Sequence, residues 1–142
     1  MEPQMTTTKS EEATHAFAMQ FAKTLSAPAM LLLSGELGAG KTCFTRGLCE
    51  GLGGEPRQVS SPTFAIMQEY DIADNQRLVH IDAYRLSGEE ELESIGWEEL
   101  LEDENTIIAI EWASHIRNAI PANAISVHLE HVDQHSREIT LQ

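Results

Sequence analysis

The sequence predicts an α/β fold: a mixed β-sheet flanked by helices, with antiparallel hairpins added to a parallel centre. Three observations carry this. The apolar run Met30-Leu31-Leu32-Leu33 leads directly into Gly35-Glu36-Leu37-Gly38-Ala39-Gly40-Lys41-Thr42 and then into a helical pattern. A second continuous apolar run, Thr106-Ile107-Ile108-Ala109-Ile110, ends in Glu111 and has the pattern of a strand buried on both faces, as in parallel sheets. Two pairs of strand-like segments are separated by short turn signals, Ala73-Asp74-Asn75-Gln76 and Asp133-Gln134-His135-Ser136, and read as hairpins. The G-x-x-x-x-G-K-[ST] segment between strand and helix makes the expected architecture P-loop NTPase-like.

The elements follow in order. Ser10 ahead of Glu11 and Glu12 is a helix start, with acidic residues at the positive end of the dipole. Ala13, Phe17, Phe21 and Leu25 then recur at fourfold spacing, which predicts a helix of about four turns ending near Ser26-Ala27-Pro28. Residues 30–34 are the first strand the pattern secures. The glycine-rich loop opens a helix over 41–52, closed by Gly53-Gly54. Strands are expected over 64–70 and 77–84. Ser87-Gly88-Glu89-Glu90 opens an acidic helical region, divided at Gly96 into two short helices that end near Glu104. The buried strand covers 106–112, and the final hairpin covers 124–132 and 137–141. No internal repeat, linker or low-complexity tract interrupts a single expected domain spanning 1–142.

Nine basic residues stand against twenty-three acidic ones, a net charge of −14. Such a surface repels a phosphate backbone and offers no basic stripe, so tight direct binding to RNA or DNA is not expected. No apolar signal segment occupies residues 1–10, and no apolar run reaches the ~20 residues of a membrane span, which predicts a cytoplasmic, soluble chain. Cys43 and Cys49 fall on one helix about 9 Å of rise apart, too far to bridge there. Both read as small buried apolar groups.

The chemistry centres on the loop. Glycines let successive backbone N–H groups turn around a polyphosphate, Lys41 reaches the β- and γ-phosphates, and the Thr42 hydroxyl can ligate Mg²⁺. Hydrolysis or transfer also needs a carboxylate near the metal, usually at the end of an apolar strand beside the loop. Two strands qualify: Leu78-Val79-His80-Ile81 ends in Asp82, and the run over 106–110 ends in Glu111. Asp is common at strand ends as a turn carboxylate, whereas an unpaired Glu111 against a fully apolar strand is costly unless it meets a cation. His80 with Asp82, and His128 with His131, lack the further ligands a structural zinc requires. Trp112 fits either the core or a stacking contact with a ligand or partner. The chain holds neither an Asn-Lys-x-Asp nor an Asp-x-x-Gly segment, the usual guanine and γ-phosphate signatures of GTPases, so ATP is the expected nucleotide.

These residues together resemble the TsaE (YjeE) family of bacterial P-loop ATPases, which act in making threonylcarbamoyladenosine in tRNA. The resemblance covers nearly the whole chain: Ser10-Glu11-Glu12-Ala13-Thr14, the loop, Ser60-Ser61-Pro62-Thr63-Phe64, His80-Ile81-Asp82-Ala83-Tyr84-Arg85-Leu86, Gly96-Trp97-Glu98-Glu99 and Ile110-Glu111-Trp112. It implies ATP hydrolysis with Mg²⁺ inside a complex with TsaB and TsaD, where TsaD transfers the threonylcarbamoyl group. It also implies roles. Lys41 grips the phosphates, Thr42 and Glu111 hold Mg²⁺, Asp82 orders a water, Thr63 senses the γ-phosphate and Thr14 lies near the adenine. Where the family usually has Gly-Arg before its last strand this chain has Ser136-Arg137, which leaves the Arg137 contact to the nucleotide open. Two other readings stand beside this one. A small-molecule P-loop kinase would need an arginine-bearing lid, and the six scattered arginines form no such cluster; in a nucleotide-dependent binding module without turnover, Glu111 and Asp82 would be structural.

Overall fold

The computed structural model describes residues 3–36, 39–59, 66–86 and 88–142. Seven strands form one mixed sheet: β1 (Gln4–Thr8), β2 (Ala29–Ser34), β3 (Met67–Asp71), β4 (Arg77–Asp82), β5 (Thr106–Glu111), β6 (Ile125–His131) and β7 (Arg137–Leu141). Their order is β1-β7-β6-β2-β5-β4-β3. The central four, β6, β2, β5 and β4, run parallel, while β3 and the β7–β1 pair add on antiparallel at the two sides. The predicted α/β class, with its parallel centre and two hairpins, is the architecture observed.

β2, β4 and β5 feed two cores, and β6 feeds the first. On one face Leu31, Leu33, Ile107, Ala109, Leu78 and Val127 pack under α1 (Glu11–Ala22) and α2 (Lys41–Gly51). On the other face Met30, Val79, Ile81, Ile108 and Ile110 pack under α3 (Trp97–Glu102) and the 3₁₀ segments Glu89–Ile95 and Ala113–Ala119. Period-two alternation with both sets apolar is why residues 106–110 read as an unbroken run.

The two long helices lie unusually close. A Cβ on Gly51 would stand 2.6 Å from the Met19 carbonyl oxygen and 2.7 Å from Ala22 Cβ, and one on Gly47 would stand 2.7 Å from Ala18 Cβ. Glycines four apart on α2 face alanines four apart on α1, so backbone packs on backbone.

Several boundaries differ from expectation. The first helix begins as predicted, with Ser10 accepting from Ala13 N at 3.0 Å, but it ends at Ala22. There the ladder tightens: Thr24 N and Leu25 N bond to the carbonyls of Phe21 and Ala22, and the Thr24 hydroxyl turns back onto Phe21 O at 2.7 Å. The fourth strand stops at Asp82, whose carboxylate caps the next turn, Ala83–Arg85. The fifth stops at Glu111, because Trp112 is left-handed (φ 61) and turns the chain away. The expected strand over 64–70 is observed as Met67–Asp71, and its first two positions lie outside the described residues. The short helices do divide at Gly96, where φ is 77.

Candidate functional site

Parallel pairing brings the carboxyl ends of the central strands to one edge of the sheet. Glu111 at the end of β5 is in register with Leu33 of β2 on one side and with Asp82 of β4 on the other. The chain leaving β2 must turn sharply here to enter α2. Gly35 has φ +142, and a Cβ there would collide with the Leu129 carbonyl, so only glycine fits. Gly40 is left-handed as well (φ +100) and precedes Lys41 as the helix cap, and as a glycine it brings no side chain to the first-turn amides. Neither is there an acidic residue in that turn. Among the described residues, the amides at the start of α2 are therefore uncapped donors at the positive end of an eleven-residue helix, which suits a phosphate.

Lys41, at the start of α2, points back at the strands. Its Nζ lies 3.4 Å from Glu111 Oε1, and both side chains are nearly buried, 12% and 10% exposed. It also sits 5.6 Å from the centre of the Trp112 ring. The other carboxylate oxygen, Oε2, lies 2.7 Å from Nε2 of His80. Burial pushes the Glu111 carboxyl up, but hydrogen bonding from His80 and the Lys41 ammonium outweigh it and hold it below the usual carboxylate range. The cation that a buried Glu111 called for is the loop lysine itself.

Asp82 is half-buried and its Oδ1 accepts from Tyr84 N at 3.0 Å. It therefore does the turn-forming work common for Asp at a strand end, in register with Glu111. Thr42 is half-buried in the first turn of α2, Glu36 is exposed, and Ala39 is buried, so Ala39 can offer only its backbone to a ligand. Among the described residues no group of three or more His, Cys, Asp or Glu side chains could hold a metal unaided. One or two carboxylates with oxygens from phosphate and water is the arrangement Mg²⁺ ordinarily accepts, and the donors here fit it.

Arg137 flanks the loop from β7: a Cβ on Gly40 would lie 3.9 Å from both its Cγ and Nε. Its guanidinium donates to the carbonyls of Asp133 and Ser136, so the hairpin turn holds it in place. Thr14 is different. It is 1% exposed, and its hydroxyl is engaged by Thr8 Oγ1 at 2.6 Å and by the Ser10 carbonyl at 3.2 Å. A hydroxyl buried between β1 and α1 satisfies itself locally and offers no open atom to a nucleotide. Leu37, Gly38 and Thr63 lie outside the described residues.

Cys49 is buried as expected, and burial pushes its thiol up to about 11. Cys43 departs from expectation by being only half-buried. Burial and the Glu11 carboxylate raise its thiol, and its Sγ reaches the Glu11 carbonyl at 3.2 Å.

Sequence reasoning missed two groupings at this edge. Tyr84, Trp112 and His115 form an open aromatic cluster with ring centres 5.0 to 5.8 Å apart, Tyr84 60% and Trp112 46% exposed. The signal was the left-handed position after β5, invisible in composition. On the other side of the loop, Ser34 bonds His128 Nδ1 at 2.7 Å. A cleft of about 330 Å³, lined by Leu33, Ser34, Gly35, Lys41, Trp112 and Ser126, opens between them.

Fold and site thus define a mixed-sheet α/β protein with a strand–loop–helix turn suited to phosphate and a lysine–carboxylate pair behind it. Comparison with known proteins makes the assignment specific. The family described as "Threonylcarbamoyl adenosine biosynthesis protein TsaE" matches residues 8–139, and the chain belongs to that family. Curated relatives carry the name tRNA threonylcarbamoyladenosine biosynthesis protein TsaE. The protein from Rickettsia conorii is 39% identical over 133 residues, covering 94% of this chain and 74% of its own length. That from Bacillus subtilis is 38% identical over 133 residues, covering 94% and 81%. The chain also resembles the crystal structure of Bacillus subtilis YdiB, with a TM-score of 0.76 and 30% identity over 99% of this chain and 84% of that one.

Proposed function

We propose that this chain binds ATP with Mg²⁺ at the loop from Gly35 to Thr42, hydrolyses the ATP, and does so in forming threonylcarbamoyladenosine in tRNA, the process for which its relatives are named. One observation carries the reading: a loop lysine 3.4 Å from the terminal carboxylate of the neighbouring parallel strand, with a second carboxylate in register beside it. In this reading the backbone of Gly35, Glu36, Leu37, Gly38, Ala39 and Gly40 cradles the phosphates, Lys41 grips them, and Arg137 borders the nucleotide. Thr42 and Glu111 would hold Mg²⁺, which neutralises charge on the β- and γ-oxygens. Asp82 orients a water, and Thr63 reports the γ-phosphate.

The partners proposed are TsaB and TsaD, with TsaD as the transferase. A surface of net −14 suits docking on a basic protein face rather than on tRNA, and a part in tRNA modification fits work in the cytoplasm. No helix among the described residues is long and apolar enough to cross a membrane. Turnover is then slow alone and faster with partners. The test is single-turnover phosphate release with and without TsaB and TsaD, alongside direct tRNA binding. Acceleration by the proteins is expected. Phosphate retained on an acceptor would restore the kinase reading, no release at all would make the chain a binding module, and tight tRNA binding by the chain alone would refute the docking route.

A further inference from the structure

His80 stands on β4 one pleat before Asp82, and its ring is 1% exposed. In the β4–β5 register it pairs with Ala109, so its side chain leaves the sheet on the face that carries Glu111 two residues later. Its Nε2 meets Glu111 Oε2 at 2.7 Å while Lys41 occupies Oε1 at 3.4 Å. Among the described residues its Nδ1 is buried without a hydrogen-bond partner. An ionised carboxylate only accepts, so the ring proton belongs on Nε2. Nδ1 is then a bare acceptor, and an orphaned N–H is avoided.

From this geometry we propose that His80 is a positioning residue. As an Nε2–H donor it clamps Oε2, fixes the plane of the Glu111 carboxylate, and leaves Oε1 as the working oxygen that Lys41 holds and a metal would share. This rests on the ATP and Mg²⁺ reading above, and it assigns His80 an orienting part distinct from ligation: a buried donor behind a ligand sets the angle at which the ligand meets its ion.

The test compares His80→Gln, which keeps a nitrogen donor at similar reach, with His80→Leu, which keeps bulk and removes the donor, each alone and with Glu111→Gln. Mg²⁺ affinity in the presence of a non-hydrolysable ATP analogue is measured by calorimetry, and kcat and KM by phosphate release. His80→Leu should lower Mg²⁺ affinity and kcat about 10- to 100-fold, as loss of an orienting partner does. The KM for ATP should stay within about threefold, since the clamp does not touch the phosphates. His80→Gln should recover most of the loss, and neither change should add to Glu111→Gln. Equal damage from Gln and Leu in folded protein, or full additivity with Glu111→Gln, overturns the proposal. ¹⁵N NMR of the ring in the unmutated chain gives an independent reading: an Nε2–H tautomer that responds to Glu111→Gln supports the clamp, and an Nδ1–H tautomer refutes it even if His80→Leu fails to fold. An unmutated chain that turns over no ATP overturns the function proposed above, and the ring NMR then decides the clamp by itself.

Discussion

Replacing Lys41 by Met removes the ammonium but keeps most of the stem beside Trp112, so it isolates the charge. At 3.4 Å and an effective dielectric near 20, the attraction to Glu111 is roughly 5 kcal/mol. Desolvation of two nearly buried groups offsets most of this, and His80 still holds Oε2 in the variant. A net destabilisation of about 1 to 2 kcal/mol at pH 7 is expected, together with loss of a cation–π contact worth about 0.5 kcal/mol. That corresponds to a Tm lowered by roughly 3 to 8 °C for a domain of this size. The pH dependence gives the sharper check. The folded Glu111 carboxyl is held below its usual range, so its stabilising contribution is full above that range and is lost as pH falls through the folded value. The gap between wild type and Lys41→Met should therefore close as pH drops below about 4. Urea unfolding midpoints at pH 7 and at low pH, for both proteins and for Glu111→Gln, measure it. A gap that persists unchanged in acid, or no gap at pH 7, would refute the argued pairing.

Three further outcomes are expected. Lys41→Ala should weaken ATP binding about ten- to hundredfold by calorimetry, the worth of a charge-assisted phosphate contact; unchanged affinity, or preference for GTP, would contradict the site. Glu111→Gln should cut phosphate release far more than ATP affinity, whereas Asp82→Asn, whose amide oxygen can still accept from Tyr84 N, should leave the fold intact and reduce turnover less; the reverse ranking exchanges their roles. Gly51→Ala should destabilise by about 1 to 3 kcal/mol in urea, because its methyl meets the Met19 carbonyl and Ala22, and a stability equal to wild type would mean α1 can shift away freely.

What could be read from residues alone was local. The Ser10 cap, the strand before the loop, the loop glycines and the doubly buried strand each announce themselves within a few positions. β1 does not: Gln-Met-Thr-Thr-Thr has no apolar period and Met5 is 63% exposed, so the strand exists only through its pairing with β7 and the Thr8–Thr14 contact. The same limit applies at the site. That Glu111 needed a cation followed from its apolar strand, but which cation depends on β5 lying between β2 and β4, a fact of topology. The engagement of the Thr14 hydroxyl was hidden for a related reason, since it depends on a strand that the pattern did not disclose.

The position of Lys41 makes anion binding an exchange rather than an addition. Its charge is already shared between Glu111 and Trp112, so an incoming anion competes with an internal carboxylate for the same ammonium. A small monoanion that won this contest would strand Glu111 nearly buried and uncompensated. Under the function proposed above, a triphosphate carrying its own divalent ion would not, since that ion would take the lysine's place beside the carboxylate. On the proposed ATP and Mg²⁺ reading, nucleotide and metal affinity would be reciprocally linked through one side chain, each tightening the other by the same factor. If the proposed function holds, the protein's own carboxylate would be the competitor that disfavours chloride, acetate and metal-free nucleotide.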